Sequence, residues 1–300
     1  MPQGQIRAVG RRYYMNGRFF HSHPDMLMVR PPLSSLDRSQ AAVRREIKRQ
    51  KSLRGYAQHG LTESQAKSIA SLIALSGGQI ISSDNLTILP KERLAILERI
   101  LPVYGKSARP VDFFDRTYAS IYHLKIEKPW ENWDIVGLFN WDDTEKAVRS
   151  LDLQKIGLAR DQDYIAFEFW SGRFLGTLQN ALSLSLDPAS CMILALHEKP
   201  QNPWILSTNR HWTQGGVDLV DLKWDAESRI LSGTSQALVR FPYELTVYVP
   251  ESFRIKKASL PSISCTVKQL GPNVFRIGVP SGREERFDWQ IEFAEDRPRF

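Results

Sequence analysis

Apolar residues at helical spacing open the chain. Ile6, Val9 and Tyr13 share one face, and Gly17 is placed to end the helix in a left-handed turn. The apolar run Met26-Leu27-Met28-Val29-Arg30 predicts a buried strand. Thr62-Glu63-Ser64-Gln65 has the capping-box order and introduces Ala66, Ile69, Ala70 and Ile73 on one helical face. Gly77-Gly78 stops that helix, Gln79-Ile80-Ile81-Ser82 predicts the next strand, and Ser83-Asp84-Asn85 the loop after it. Pro90 suits the first turn of a further helix with the stripe Leu94, Leu97, Ile100 and Leu101, ending at Pro102. Helix, strand, helix, strand, helix is the rhythm of parallel α/β units.

After about Pro110 the helical period fades and strand-like runs alternate with turn residues. Asp134–Phe139, Asp163–Trp170, Ala181–Leu186 and Cys191–His197 predict strands, with turns at Asp142-Asp143 and Asp187-Pro188. The proline-containing stretch Lys199–Pro203 precedes a further β-rich region with runs at Gly216–Trp224, Ala237–Val249 and Val274–Ile277. The expected organisation is therefore an α/β segment over 1–110, an antiparallel β-sandwich over 111–200, and a second β-rich, sandwich-like region over 201–300.

Composition adds little until charge is located. The chain of 300 residues is 42% hydrophobic and 24% charged, and no apolar run is long enough to cross a membrane as a helix. Residues 1–20 lack the basic, apolar and small-residue order of a secretory signal, which leaves the cytoplasm as the default compartment. The net charge is +7, yet Arg38, Arg44, Arg45, Lys48, Arg49, Lys51 and Arg54, opposed by Glu46, supply nearly all of it. A solvated helical excursion and a polyanion-binding stripe both fit that cluster. With only Tyr56 nearby as an aromatic, the solvated helix fits better, and no nucleic-acid partner is expected. Cys191 and Cys265 make no disulfide framework and read as small buried residues. His21 and His23 beside Asp25 are the nearest approach to a metal-ligand pattern, and no metal or other cofactor is expected.

Three stretches carry a family resemblance: Gly17–Leu27, with His23-Pro24-Asp25-Met26-Leu27 at its end; Leu72–Gly78 followed by Ile81-Ser82-Ser83-Asp84; and Trp133–Trp141. In this order they resemble glycoside hydrolase families 27 and 36, which include the α-galactosidases, over roughly residues 3–200. The resemblance implies the C-terminal portion of a (β/α)8 barrel followed by antiparallel β-sandwich domains, with a carbohydrate such as an α-galactoside as partner. The family motif reads Asn-Asp-Pro-Asp-(Met/Cys)-Leu, and its last Asp and the following residue line the sugar site. Those positions are Asp25 and Met26 here, while Ser22 and His23 replace the family's Asn and Asp. Read from the residues alone, Asp25 is either a sugar-binding carboxylate on a Pro-fixed loop or a loop cap. Met26 either lines that site or packs in the core.

The resemblance also implies an absence. Retaining glycosidases need two carboxyl groups about 5–5.5 Å apart, and in this family both lie on barrel strands before the Asp25 motif. A complete barrel takes about 250 residues, far more than the α/β segment supplies. The missing units would come from a longer frame or a separate chain. Lys223-Trp224-Asp225 matches the family's Lys-x-Asp nucleophile pattern, but Asp225 reads as the start of a hairpin turn. Trp141 and Trp170 could stack on sugars or pack within the sheets. The expected function is thus the C-terminal segment of an α-galactosidase-like hydrolase, inactive alone; the alternative is a non-catalytic carbohydrate-binding or interaction module.

Overall fold

The computed structural model describes residues 3–37, 39–50, 59–238, 241–260, 263–279 and 285–296. It divides into two compact units. The first comprises the described residues up to Leu124 together with Val136–Arg160 and Asn180–Ile193. The second comprises Lys125–Ile135, Asp161–Gln179 and the described residues from Leu194 onward.

The first unit holds helices α1 (Gln3–Arg12), α2 (Ala41–Gln50), α3 (Glu63–Leu75) and α4 (Lys91–Ile100). The capping box of α3 is reciprocal: the Gln65 N–H donates to Thr62 Oγ1 at 3.2 Å, and the Thr62 N–H donates to Gln65 Oε1 at 3.0 Å. Every residue from Ser68 to Leu75 is buried, so α3 is enclosed on all sides and not on one face. Alanine and serine on its polar side allow that approach. Ser68 Oγ settles its buried donor on the Ala189 carbonyl at 3.1 Å.

The opening helix differs from expectation. It stops at Arg12, continues as a 3-10 turn over Tyr13–Met15, and Gly17 (φ 73°) serves the following turn, where its N–H donates to Phe20 O. The two expected strands shrink to a single parallel bridge, Leu27·Ser82. The physical reason lies in what satisfies the backbone on either side. Leu27 N–H and the Ser83 N–H make the bridging bonds, to Ile81 O and Leu27 O. One residue pair further on, the Val29 N–H donates instead to Asp84 Oδ2 at 2.6 Å. The Val29 carbonyl accepts from Arg93 Nη1 at 3.2 Å, and the Arg30 carbonyl from the Leu61 N–H. A ladder cannot continue where side chains and a helix lead have taken its groups.

Gly78 is fixed by close approach. A methyl group there would overlap the Ser22 carbonyl oxygen, which already accepts the Gln79 N–H at 2.8 Å. Gly78→Ala is expected to cost about 1–3 kcal/mol, because the backbone itself must move to admit the methyl. A urea midpoint equal to the parent's would refute this.

The strands are β1 (Arg109–Pro110), β2 (Ile121–Lys128), β3 (Glu131–Phe139), β4 (Ala147–Asp152), β5 (Tyr164–Glu168), β6 (Arg173–Leu178), β7 (Ala181–Leu186) and β8 (Cys191–Glu198). They form a six-stranded sheet in the order β1-β2-β3-β8-β5-β6 and a two-stranded sheet β4-β7, with every described pairing antiparallel.

Within the second unit follow β9 (Trp204–Thr208), β10 (Leu219–Asp225), β11 (Ile230–Gln236), β12 (Tyr243–Tyr248), β13 (Phe253–Leu260), β14 (Ile263–Ser264), β15 (Thr266–Gly271), β16 (Val274–Val279) and β17 (Arg286–Glu295). The orders β10-β11-β17-β13-β14 and β15-β16-β12-β9 make two antiparallel sheets. Their inner faces share one core: Leu222, Leu231, Ile291 and Phe293 from one sheet meet Ile205, Leu245, Val247 and Ile277 from the other. This is a β-sandwich. The expected strand Ala237–Val249 begins only at Tyr243, because Pro242 lacks the N–H a ladder needs. The expected strand Gly216–Trp224 begins at Leu219, after a turn in which Gly215 has φ 114°.

Of the basic cluster, Arg44, Arg45, Lys48 and Arg49 are exposed on α2, while Val43 and Glu46 are buried. The Arg49 guanidinium bonds Glu46 Oε2 at 3.0 Å. That is an amphipathic helix with a solvated basic face. Arg38, Lys51, Arg54 and Tyr56 lie outside the described residues.

Candidate functional site

The candidate site is the turn that leads into the Leu27·Ser82 bridge, wholly within the first unit. Asn16 Oδ1 accepts the Ser22 N–H at 2.7 Å and sets the turn's entrance. Pro24 is buried and fixes the backbone before Asp25. Asp25 then adopts φ 78°, in the left-handed region that L residues other than Asn and Asp rarely enter. Its Oδ1 accepts the Met26 N–H at 2.8 Å, and its own N–H donates to His23 Nδ1 at 3.2 Å. Because that ring nitrogen accepts, a neutral His23 carries its proton on Nε2. From below, Gln5 Nε2 donates to the Met26 carbonyl at 3.1 Å, from a side chain 4% exposed.

Both readings of Asp25 therefore hold at once. One oxygen caps the loop; the other has no partner among the described residues, on an exposed side chain. Met26 is not a core residue. Its side chain is 52% exposed, since the left-handed turn at Asp25 sends it outward while Leu27 next to it is fully buried. His23 and Ser22 border a small cleft with Arg12, Tyr13, Phe20 and Pro24. Its volume of about 20 Å³ holds one water and no sugar ring. Asp25 and Met26 do not line it.

What holds this turn was not legible as a motif. The Asp84 carboxylate is buried and accepts from both the Val29 N–H and Arg30 Nη1, the latter at 2.8 Å in an ion pair whose side chains are 6% and 0% exposed. Gln5, Asn16 and Asp84 act on the turn from 21, 6 and 54–55 positions away.

The remaining sequence candidates have structural settings. Among the described residues no three His, Cys, Asp or Glu side chains could hold a metal ion, His21, His23 and Asp25 included. Asp225 begins a hairpin turn, accepting the Glu227 and Ser228 N–H groups, and Asp142 caps the loop between β3 and β4, accepting the Thr144 and Glu145 N–H groups. Backbone N–H donors, from Ser228 and from Thr144 first, hold both carboxyls below the usual range, which suits capping and not proton donation. Asp112 accepts the Ser120 and Ile121 N–H groups, and burial pushes its carboxyl up against those bonds. Trp141 stacks on Phe139 at 4.5 Å and donates to Ala119 O at 2.8 Å, and Trp170 packs edge-on against Phe169. Neither Cys191 nor Cys265 is in a disulfide, and both are half-buried.

No family model and no curated protein matches the chain. Solved structures do resemble it in part. A family 27 β-L-arabinopyranosidase from Geobacillus stearothermophilus, in complex with arabinose, is 15% identical over 66% of this chain and 42% of its own, with a TM-score of 0.48. α-Galactosidase I from Mortierella vinacea is 13% identical over 47% and 37%, with a TM-score of 0.39. An isomalto-dextranase from Arthrobacter globiformis, complexed with panose, is 12% identical over 80% and 46%, with a TM-score of 0.40. The chain thus spans less than half the length of each of these enzymes.

Proposed function

We propose that this chain is the C-terminal segment of an α-galactosidase-like glycoside hydrolase, with residues 1–110 closing a (β/α)8 barrel, residues 111–200 a first β-sandwich domain and residues 201–300 a second. The observation that carries the reading is Asp25. A carboxylate with an uncommitted oxygen stands on a Pro-fixed, left-handed turn, two residues before a parallel bridge. Barrel enzymes draw their ligand-binding groups from loops at the C-terminal ends of strands, where the family resemblance puts the His23–Leu27 motif. The order of the three resembling stretches supports the same reading. Asp25 orients a sugar hydroxyl. The carboxylate pair that would attack the anomeric carbon and protonate the leaving oxygen comes from further α/β units.

The test is hydrolysis of nitrophenyl α-galactoside. The 300-residue chain alone is expected to give no turnover. A longer polypeptide translated from the reading frame upstream of Met1 is expected to hydrolyse the substrate. In that polypeptide Asp25→Ala should lower kcat/KM by about tenfold to a hundredfold, the loss of a charge-assisted hydrogen bond to substrate. Turnover by the chain alone would refute the division of labour; an Asp25→Ala variant with parental kcat/KM would refute the role of Asp25.

A further inference from the structure

A second polar site lies entirely in the second unit. Four loops meet there: residues 161–163 before β5, 199–201 after β8, 250–252 between β12 and β13, and Asn273 in the turn between β15 and β16. They enclose a cleft of about 570 Å³, within the range of roughly 300–1,000 Å³ typical of small-molecule sites. Its lining is unusual in what it leaves uncommitted. The side chains of Gln162, Gln201, Glu251, Ser252 and Asn273 have no hydrogen-bond partner among the described residues. The Asn273 backbone is nevertheless fixed, at φ 60° with its carbonyl accepting the Val249 N–H at 2.7 Å.

We propose that this cleft binds a neutral oligosaccharide. A sugar hydroxyl both donates and accepts, and a carboxamide offers a matched acceptor and donor, so three amides beside a carboxylate and a hydroxyl suit a polyhydroxylated surface. Pro200, Pro250 and the buried ring of Tyr248 add apolar lining for the C–H faces of sugar rings. The charges argue against anions. Asp161, Asp163 and Glu251 face one ammonium, Lys199, which is 3.4 Å from Asp163 Oδ2. A phosphate or sulfate ligand would meet net repulsion, and an apolar ligand would strand the polar lining.

This inference does not rest on the hydrolase reading, since Asp25 is in the other unit. The experiment is titration of the full chain with maltotriose, galactotriose, cellotriose and, separately, spermidine, followed by calorimetry. At least one trisaccharide is expected to bind with millimolar affinity. The double variant Gln201→Ala/Asn273→Ala is expected to weaken it about tenfold, as two lost hydrogen bonds require. Gln201 is exposed, but alanine at residue 273 gives up the left-handed preference of Asn at φ 60°, so the thermal midpoint should fall by a few degrees while the fold persists at the titration temperature. No heat with any trisaccharide up to about 20 mM, where millimolar binding would saturate, would overturn the proposal. Unaltered affinity in the double variant, or binding of spermidine alone, would do the same.

Discussion

Asp84→Ala is expected to destabilise the first unit by about 3–5 kcal/mol, the cost of removing one partner of a buried ion pair. The Asp84 carboxylate is fully enclosed and does two things. It pairs with Arg30 at 2.8 Å and takes the Val29 N–H at 2.6 Å, where a strand neighbour would otherwise stand. Alanine leaves a buried guanidinium without that counter-charge and a backbone donor open, and each adds to the cost. Asp84→Asn keeps an oxygen for the Val29 N–H but loses the charge, so its penalty should be smaller. Arg30→Met/Asp84→Ala should also cost less than Asp84→Ala alone, because no guanidinium is left uncompensated. Urea unfolding of the three variants gives the order. If all three unfold at the parent's midpoint, the pair does not hold the turn. Because Val29 and Arg30 continue the segment that carries Asp25, the same variants should loosen the candidate site.

How much of this was legible in the sequence depended on range. The capping box at Thr62 and Gln65 was, because its bonds join neighbours on one turn. So was Ala181–Leu186, whose strand limits match its alternation of apolar and polar residues. Asp142 and Asp225 were legible as turn formers for the same local reason. The strands beyond residue 200 were only partly so. Phe287, Trp289, Ile291 and Phe293 alternate through β17, and Trp289, Ile291 and Phe293 are buried. Strand β13 hides its period behind Lys256-Lys257. The expected strands near Leu27 and Ser82 failed for a different reason. Leu27, Met28 and Val29 are buried as expected, while Met26, Ile81 and Ser82 are exposed. The groups that end the pairing at Val29 and Arg30 belong to Asp84, Arg93 and Leu61, which lie far along the chain from them. At the site, Asp25 was visible as a residue type in a motif. Its left-handed backbone and the exposure of Met26 follow from the turn's geometry, which residue types do not encode.

The second unit is expected to lose stability as pH rises from about 4, and Asp218→Asn to abolish most of that loss. Asp218 is 1% exposed inside the sandwich and accepts the Tyr243 hydroxyl at 2.8 Å. Burial pushes its carboxyl up, against the lowering influence of hydrogen bonds from Thr208 and Tyr243 and of the Arg210 charge. Burial and the Asp218 charge together push the Tyr243 phenol up as well, so the phenol remains a donor throughout this range. Lys128 also faces Asp218 electrostatically. In the unfolded chain the carboxyl releases its proton near the ordinary Asp value of about 3.9. In the folded chain it holds that proton to higher pH. Between the two values the native state binds more protons than the unfolded state, so unfolding free energy falls as pH rises. Its contribution is complete below the unfolded value and lost as pH passes through the folded one. Asparagine keeps an oxygen for Tyr243 and cannot ionise, so the variant's unfolding free energy should stay flat where the parent's declines. The gap at pH 7 should be on the order of a few kcal/mol, the effective penalty for a buried anion. Denaturant unfolding at pH 4, 5.5 and 7 measures it. A parent and variant with parallel pH profiles would show that Asp218 ionises freely in the fold, and the sandwich would then have to open to solvent around Tyr243.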